Sequence, residues 1–202
     1  PGRNEIGPLI QDEPLLAEDL VRYVGHPLAL VVADTAGQAR AASELVRVEL
    51  EEMPPIVDPR VAFEAGEIIG VTRTFAIGKP DEAWAQCEHV VEGRCDVGGQ
   101  EHVYLETQRA RATPLENGRL RVLTSTQSPY SAQKHIAQVL GVQNNQIEVE
   151  VRRLGGGFGG KEDQATHWAC FAAVGARITG VPVEVVLRRD EDFRHTGKRH
   201  PY

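Results

Sequence analysis

Gly155-Gly156-Gly157-Phe158-Gly159-Gly160-Lys161-Glu162 is the stretch whose reading decides this chain. Five glycines in the six positions 155–160 leave a run of backbone N–H groups with almost no side chains to shield them, and the one large side chain among them, Phe158, is aromatic. Before it, Ile147, Val149 and Val151 alternate with Glu148, Glu150 and Arg152, the period-two pattern of a half-buried strand. After it, Ala165, Trp168, Ala169, Ala172, Ala173 and Ala176 recur at helical spacing, and such small residues suit a helix packed close to its neighbours. Strand, glycine turn and helix start make a geometry in which amides and the positive helix pole converge on an anionic group.

Nucleotide-binding patterns fit only in part. Gly155, four residues, then Gly160-Lys161 follows a P-loop up to its last position. There the Ser or Thr that reaches magnesium is replaced by Glu162, followed by Asp163, and two carboxylates would repel the phosphates. Gly155, Gly157 and Gly160 also form GxGxxG, but no acidic residue ends a second strand about 20 residues further on. A tight turn that merely lets a strand pack on a helix is the plainer alternative. Five glycines around a phenylalanine make it the weaker one.

A length of 202 residues allows one large or two small domains with a real core. The hydrophobic fraction of 41% and charged fraction of 25% are those of a globular protein. A net charge of -7 without a basic cluster argues against nucleic acid as a partner. No apolar run approaches the ~20 residues of a membrane span, and the opening Pro1-Gly2-Arg3-Asn4 shows no signal peptide. Cys87, Cys95 and Cys170 are odd in number and contain no CxxC, so neither a disulfide framework nor a cluster site follows, and a reducing cytoplasm is the expected setting. The histidines have no convincing ligand spacing; His195 and His200 fall in a polar, loop-like tail, and all seven read as solvated or core residues.

Two units are expected. In the first, Leu28–Val32 suits a buried strand, Asp34 or Thr35 caps a helix over 36–45, and Val46, Val48 and Leu50 alternate as a second strand, a small β-α-β unit. In the second, Pro80–Cys87 reads as a short helix, His89–Asp96 and Arg109–Thr113 as strands, and Asn117-Gly118 as a hairpin turn into the strand Leu120–Thr124. Ser128-Pro129 opens a helix that Gly141 stops after Leu140.

Gly98-Gly99-Gln100-Glu101-His102-Val103-Tyr104-Leu105-Glu106 resembles a signature of the molybdenum-binding subunit of xanthine dehydrogenases. Ser125-Thr126-Gln127, Gly155–Glu162, and Arg189-Asp190-Glu191-Asp192 with Thr196-Gly197-Lys198-Arg199-His200-Pro201 resemble three more, in the family's order. Asp12–Ala17 through Val24-Gly25-His26-Pro27 is similar to the small "hammerhead" domain of the same enzymes. The resemblance implies an α+β fold: a hammerhead-like α/β domain over 1–66, incomplete at its start, a connection at 67–79, and the first part of a molybdopterin-binding domain over 80–202.

In that family a molybdenum ion on a pterin dithiolene transfers water-derived oxygen to an electron-poor carbon, and electrons leave through 2Fe-2S centres to FAD in other domains or subunits. By resemblance, Gln127 donates its amide to the apical oxo ligand, while Gly157, Phe158 and Gly159 approach the metal ligands with their backbone. Gln127 and Phe158 thus lie near molybdenum without ligating it. Glu162 matches a glutamate that binds purine in xanthine dehydrogenases, where related aldehyde oxidases tend to carry an apolar residue; otherwise it is a first-turn helix residue worth ~0.3–1 kcal/mol. Lys161 and Asp163 read as structural and solvated. The family's substrate-binding arginine, aromatic sandwich and catalytic glutamate match no position here. No catalytic residue is therefore expected within the chain, and alone it is expected to be inactive. The expected partners are a purine such as hypoxanthine or xanthine, the rest of the molybdenum subunit, the iron–sulfur and FAD domains, and an oligomer. A non-catalytic assembly module, an aldehyde-oxidising relative and a nucleotide binder stand as alternatives.

Overall fold

Caps and turns written into the sequence set most element boundaries in the computed structural model, which describes residues 2–202; Pro1, the first residue of the opening read above, lies outside the described residues. Residues through Glu44 together with Asp96–Tyr202 form one compact unit, and Leu45–Cys95 form another.

In the larger unit, β1 (Glu5–Ile6) and β2 (Glu13–Pro14) make a short antiparallel ribbon with Ile6 opposite Glu13. The Asn4 carboxamide fastens its base, donating to the Leu16 carbonyl at 2.7 Å and accepting from the Leu16 N–H at 3.0 Å. Helix α1 (Ala36–Ser43) starts from Thr35, whose hydroxyl accepts from the Gln38 N–H at 3.3 Å while the Gln38 side chain accepts from the Thr35 N–H at 3.1 Å. Such a reciprocal box satisfies two of the orphan donors at a helix start. The strand expected at 28–32 does not form. Leu30 packs against the core and Val32 lies against Gly175, so the run meets its need for burial through side chains, but no ladder bond engages it. Only a hydrogen-bonded neighbour turns such a run into a strand.

The smaller unit holds α2 (Pro59–Glu64), capped by the Asp58 carboxylate on the Arg60 N–H at 2.8 Å, and α3 (Pro80–Trp84), which opens on Pro80 as its sequence indicates. The strands expected at 46–50 and 89–96 likewise do not form, and no described residue between 45 and 95 is buried. Of the β-α-β unit predicted over 28–50, only the helix is present.

The sheet that positions the glycine loop lies in the larger unit. β3 (Arg109–Pro114) and β4 (Leu120–Thr124) form the predicted hairpin, through a 3-10 turn in which Asn117 takes the left-handed φ of 58° that asparagine tolerates. Helix α4 (Pro129–Leu140) begins at Ser128-Pro129 and ends at Gly141, whose φ of 66° closes it. β5 (Ile147–Glu150) then pairs parallel to β4, as a helical crossover allows. Helix α5 (Gln164–Thr179) follows the loop, and β6 (Val183–Val186) pairs antiparallel to β3, giving the order β5-β4-β3-β6. Helix α6 (Arg189–His195) replaces the loop-like tail expected at His195. The Glu191 carboxylate accepts from the Arg188 N–H at 2.8 Å, and the acidic first turn of Asp190, Glu191 and Asp192 complements the helix dipole.

One face of the sheet is covered by α4 and α5. Where α5 crosses β3, alanine meets alanine: Ala110 and Ala112 on the strand and Ala165, Ala169, Ala172, Ala173 and Ala176 on the helix are each 1% exposed or less. The alanine face around Trp168 is buried against β3 and α4, as the close packing expected of it requires, with Trp168 itself 8% exposed. Among the described residues no helix is long and apolar enough to cross a membrane. Such contacts have no room for extra methylenes. Ala172→Leu is expected to cost about 1–3 kcal/mol, whereas Ala41→Leu on the exposed face of α1 should stay within about 0.5 kcal/mol. Denaturant midpoints measure the difference; equal midpoints would show that the α5–β3 contact is loose.

Candidate cofactor-binding site

Ser125-Thr126-Gln127 continues from the end of β4, and the glycine loop runs alongside it. The Gln127 N–H donates to the Lys161 carbonyl at 2.8 Å, and the Thr126 hydroxyl donates to the same carbonyl at 3.1 Å. In return, the Gln127 side-chain oxygen accepts from the N–H groups of Gly159 at 3.0 Å and Lys161 at 3.2 Å. Two backbone donors on one end of the carboxamide fix which end is oxygen. They leave Nε2, the donor end, without a hydrogen bond among the described residues, on an exposed side chain.

The loop can approach this closely only because position 157 is glycine: a Cβ there would run into the Gln127 side chain. The Gly160 N–H closes a turn onto the Gly157 carbonyl at 2.7 Å. At its apex Phe158 takes a φ of 53° and leaves its ring 74% exposed. A left-handed phenylalanine stores about 1–3 kcal/mol of strain, and such strain persists where surrounding bonds over-determine it. The N–H groups of Gly156, Gly157 and Phe158 make no hydrogen bond among the described residues.

Beneath the loop lies a buried polar layer. Glu106 donates its N–H to the Gly155 carbonyl at 3.0 Å, and its carboxylate accepts from the Gly155 N–H at 2.9 Å and the Ser125 hydroxyl at 2.7 Å. Burial pushes the Glu106 carboxyl up, but those donors and the Lys161 charge outweigh it and hold it below the usual carboxylate range. Asp192, which unlike Glu106 is fully buried, accepts from the Tyr104 hydroxyl and the Gln108 N–H, both at 3.2 Å, and pairs with Arg189 at 3.2 Å. Burial raises its pKa, and pushes the Tyr104 phenol up to about 12. Gln108 passes the order on to the loop, donating to the Gly160 carbonyl at 2.9 Å.

Glu162 is exposed, and its carboxylate enters no hydrogen bond or ion pair among the described residues. It precedes Asp163, the N-cap of α5, and so lies outside the first helical turn. Asp163 is exposed, as expected. Lys161 is not: it has no exposed surface at all. No local signal marks this burial, since Glu162 and Asp163 beside it are solvated and the acceptors of the ammonium, Glu106 and Ser125, are distant in sequence. Glu106, Ser125, Tyr104 and Gln108 also escaped notice as a layer, because a polar residue at a strand end looks the same whether it faces water or its neighbours.

The sequence pattern of the family described as "Molybdopterin cofactor-binding domain" matches residues 63–202, and that described as "Aldehyde oxidase and xanthine dehydrogenase, a/b hammerhead domain" matches residues 1–54. The chain belongs to the xanthine dehydrogenase and aldehyde oxidase family. It is 41% identical to the xanthine dehydrogenase/oxidase of Gallus gallus, over 100% of this chain and 15% of that protein. It is 42% identical to aldehyde oxidase 2 of Cavia porcellus, over 95% of this chain and 14% of that one. The aldehyde oxidoreductase from Desulfovibrio gigas superimposes with a TM-score of 0.85 at 28% identity, over 99% of this chain and 24% of its own. Quinoline 2-oxidoreductase from Pseudomonas putida 86 does so with a TM-score of 0.79 at 30% identity, over 89% and 24%. The chain thus spans about 15% of the length of the curated relatives it matches.

Membership of this family brings molybdopterin into question at the loop, and the donor set fits it. An anionic, oxygen-rich group calls for unengaged N–H donors, which residues 156–158 and the Gln127 amide present together.

The buried layer also makes a stability statement. The Glu106 pKa is lower in the folded chain, so its contribution is fully present above the ordinary carboxylate value and is lost as pH falls through the folded value; Asp192, with its raised pKa, acts in the opposite sense. Stability measured from about pH 6 to about pH 3 should therefore fall less steeply in Glu106→Gln than in the parent. Parallel curves would remove Glu106 from the acid response.

Proposed function

We propose that this chain forms one wall of the molybdopterin site of a molybdenum hydroxylase acting on purines such as hypoxanthine or xanthine. The observation that carries the proposal is the clamped Gln127: two loop N–H groups hold its oxygen, so its amide donor stands free beside the strained, exposed Phe158. When bound, the molybdenum centre supplies the oxygen transfer and accepts the electrons. The Gln127 amide would donate to such an anionic group, a neutral donor that would steady negative charge without adding any. The backbone of Gly157, Phe158 and Gly159 provides the close approach, and Gly159, at a φ of 86° with nothing within 4 Å of a would-be Cβ, leaves that approach open. The same reading divides the chain into a hammerhead-like part over 1–66, a connection at 67–79 and a molybdopterin-binding part over 80–202, and places 2Fe-2S clusters and FAD in partner domains or subunits of a cytoplasmic oligomer. The matches over 1–54 and 63–202 support that division.

The purine assignment rests on Glu162, whose carboxylate enters no hydrogen bond or ion pair among the described residues and so can orient ring nitrogens and carbonyls. A relative named aldehyde oxidase 2 is 42% identical, which keeps aldehydes as the second reading. A hydrogen bond to a charged group is worth ~1.5–3 kcal/mol, so Glu162→Val in the complete enzyme should lower kcat/KM for hypoxanthine or xanthine roughly 10–150-fold. Aldehyde oxidation should be spared or improved. Unchanged purine turnover would remove the main support for purines.

Only one wall of the site is present here. The purified 202-residue chain is therefore expected to show no purine hydroxylation with an artificial electron acceptor and to hold molybdopterin weakly or not at all; a positioned general base elsewhere typically contributes ~10²–10⁴-fold in rate. A structure of the cofactor-loaded assembly is the direct test, and a pterin far from residues 155–160 would end the proposal.

A further inference from the structure

We infer that Lys161 is a positioning residue for the cofactor site: its buried ammonium, pinned between Glu106 and Ser125, sets the orientation of the Gln127 carboxamide through its own backbone. The consequence for catalysis rests on the proposed role of Gln127; the latch itself does not.

The geometry is that of a double grip. Both backbone polar groups of Lys161 engage the segment that carries Gln127, the N–H at 3.2 Å from the Gln127 side-chain oxygen and the carbonyl at 2.8 Å from the Gln127 nitrogen. Its side chain runs inward, where Nζ donates to the Glu106 carbonyl and to the Ser125 hydroxyl, both at 2.7 Å, and lies 3.5 Å from the Glu106 carboxylate. The Tyr104 ring faces the same ammonium at 4.5 Å from its centroid, completing the enclosure with a cation–π contact. Lys161 therefore holds residues 125, 126 and 127 together while standing on Glu106.

Glu106 also holds the other end of the loop. Its carboxylate and N–H both bond Gly155, so the loop's two ends, Gly155 and Lys161, are tied to one residue. Between those ties the chain has no freedom to relax the left-handed Phe158 or to release the Gln127 oxygen. An ammonium with no exposed surface requires its acceptors, because leaving a buried charge unpaired costs far more than the pair gains. That requirement acts in the direction a latch needs: the side chain cannot leave without taking the backbone with it.

Methionine at 161 keeps the length and apolar stem of the side chain and removes the ammonium, so Lys161→Met isolates the latch. Backbone hydrogen exchange of the full-length protein, followed before cofactor loading, should speed up about tenfold or more in the segment 155–163, which contains the Gly159 and Lys161 amides, with α4 unchanged. In the loaded enzyme kcat should fall about tenfold or more with KM within about twofold, and Lys161→Met should add little further loss in a Gln127→Ala background, since both act through one carboxamide. Unchanged exchange in 155–163, or a uniform rise that includes α4, overturns the proposal, as does faster loop exchange with kcat unaltered. If Lys161→Met does not accumulate as folded protein, Ser125→Ala, which removes one acceptor of the ammonium, is measured in the same way: faster loop exchange supports the latch, and unchanged exchange overturns it. Full activity of Gln127→Ala alone is a separate result that counts against the functional role of Gln127, and so against positioning through it.

Discussion

A lysine ammonium withdrawn from water must recover the hydrogen bonds it gives up, and Lys161 recovers them from Glu106 and Ser125 at the base of the glycine loop. The fold around the site follows from that demand. Ser125 directly follows β4 and Glu106 leads into β3, so the two acceptors sit at neighbouring strand ends of one hairpin. The register that places Ala110 opposite Thr124 brings them side by side, and a 2.7 Å bond between the Ser125 hydroxyl and the Glu106 carboxylate completes the socket that receives the lysine. Burial lowers the Lys161 pKa while Glu106 opposes that shift, and the pair is secure only because each member has further partners.

The second constraint is how near α5 lies to the sheet. A loop that leaves β5 and returns as a helix lying over β3 has a fixed exit, and alanine against alanine makes the exit short. Larger residues at 169 or 172 would lift the helix, and the loop would rise with it away from Gln127. Glycines then take up what remains: at 157 any side chain would collide with Gln127. The site is thus set from two directions, by apolar closeness behind α5 and by polar bonding beneath the loop.

Much of this was legible in the sequence, and the boundary of legibility has a physical cause. Local chemistry was readable: Thr35 as a cap, Asn117-Gly118 as a turn, Pro129 and Gly141 as the ends of α4, and the small-residue stripe of α5 all rest on interactions within a few residues. The apolar runs at 28–32 and 46–50 misled because strandness depends on a partner that a one-dimensional pattern does not name. The helix at 189–195 was hidden because its best stabilisers, Asp192 beneath Tyr104 and Gln108 and the ion pair of Glu191 with Arg40, are distant in sequence. Burial of Lys161 is of the same kind, since nothing within several residues of it supplies its acceptors.

Lys161 and Glu162 are neighbours with opposite surroundings, the one enclosed and the other solvated. Lys161 is enclosed and bonded at every polar atom, so almost any replacement there is felt by the loop. Glu162 is solvated, precedes the helix cap and its carboxylate enters no hydrogen bond or ion pair among the described residues, so it can change without breaking a polar bond there. If the loop holds the cofactor as proposed, a residue beside it whose side chain has no polar bond of its own is where acceptance of a substrate can change at the least structural cost. Relatives bearing the names xanthine dehydrogenase, aldehyde oxidase and nicotinate hydroxylase, all about 40% identical to this chain, show that one scaffold carries several chemistries. On the proposed reading of Glu162, an enclosed position 161 beside a solvated position 162 lets the loop stay fixed while specificity moves.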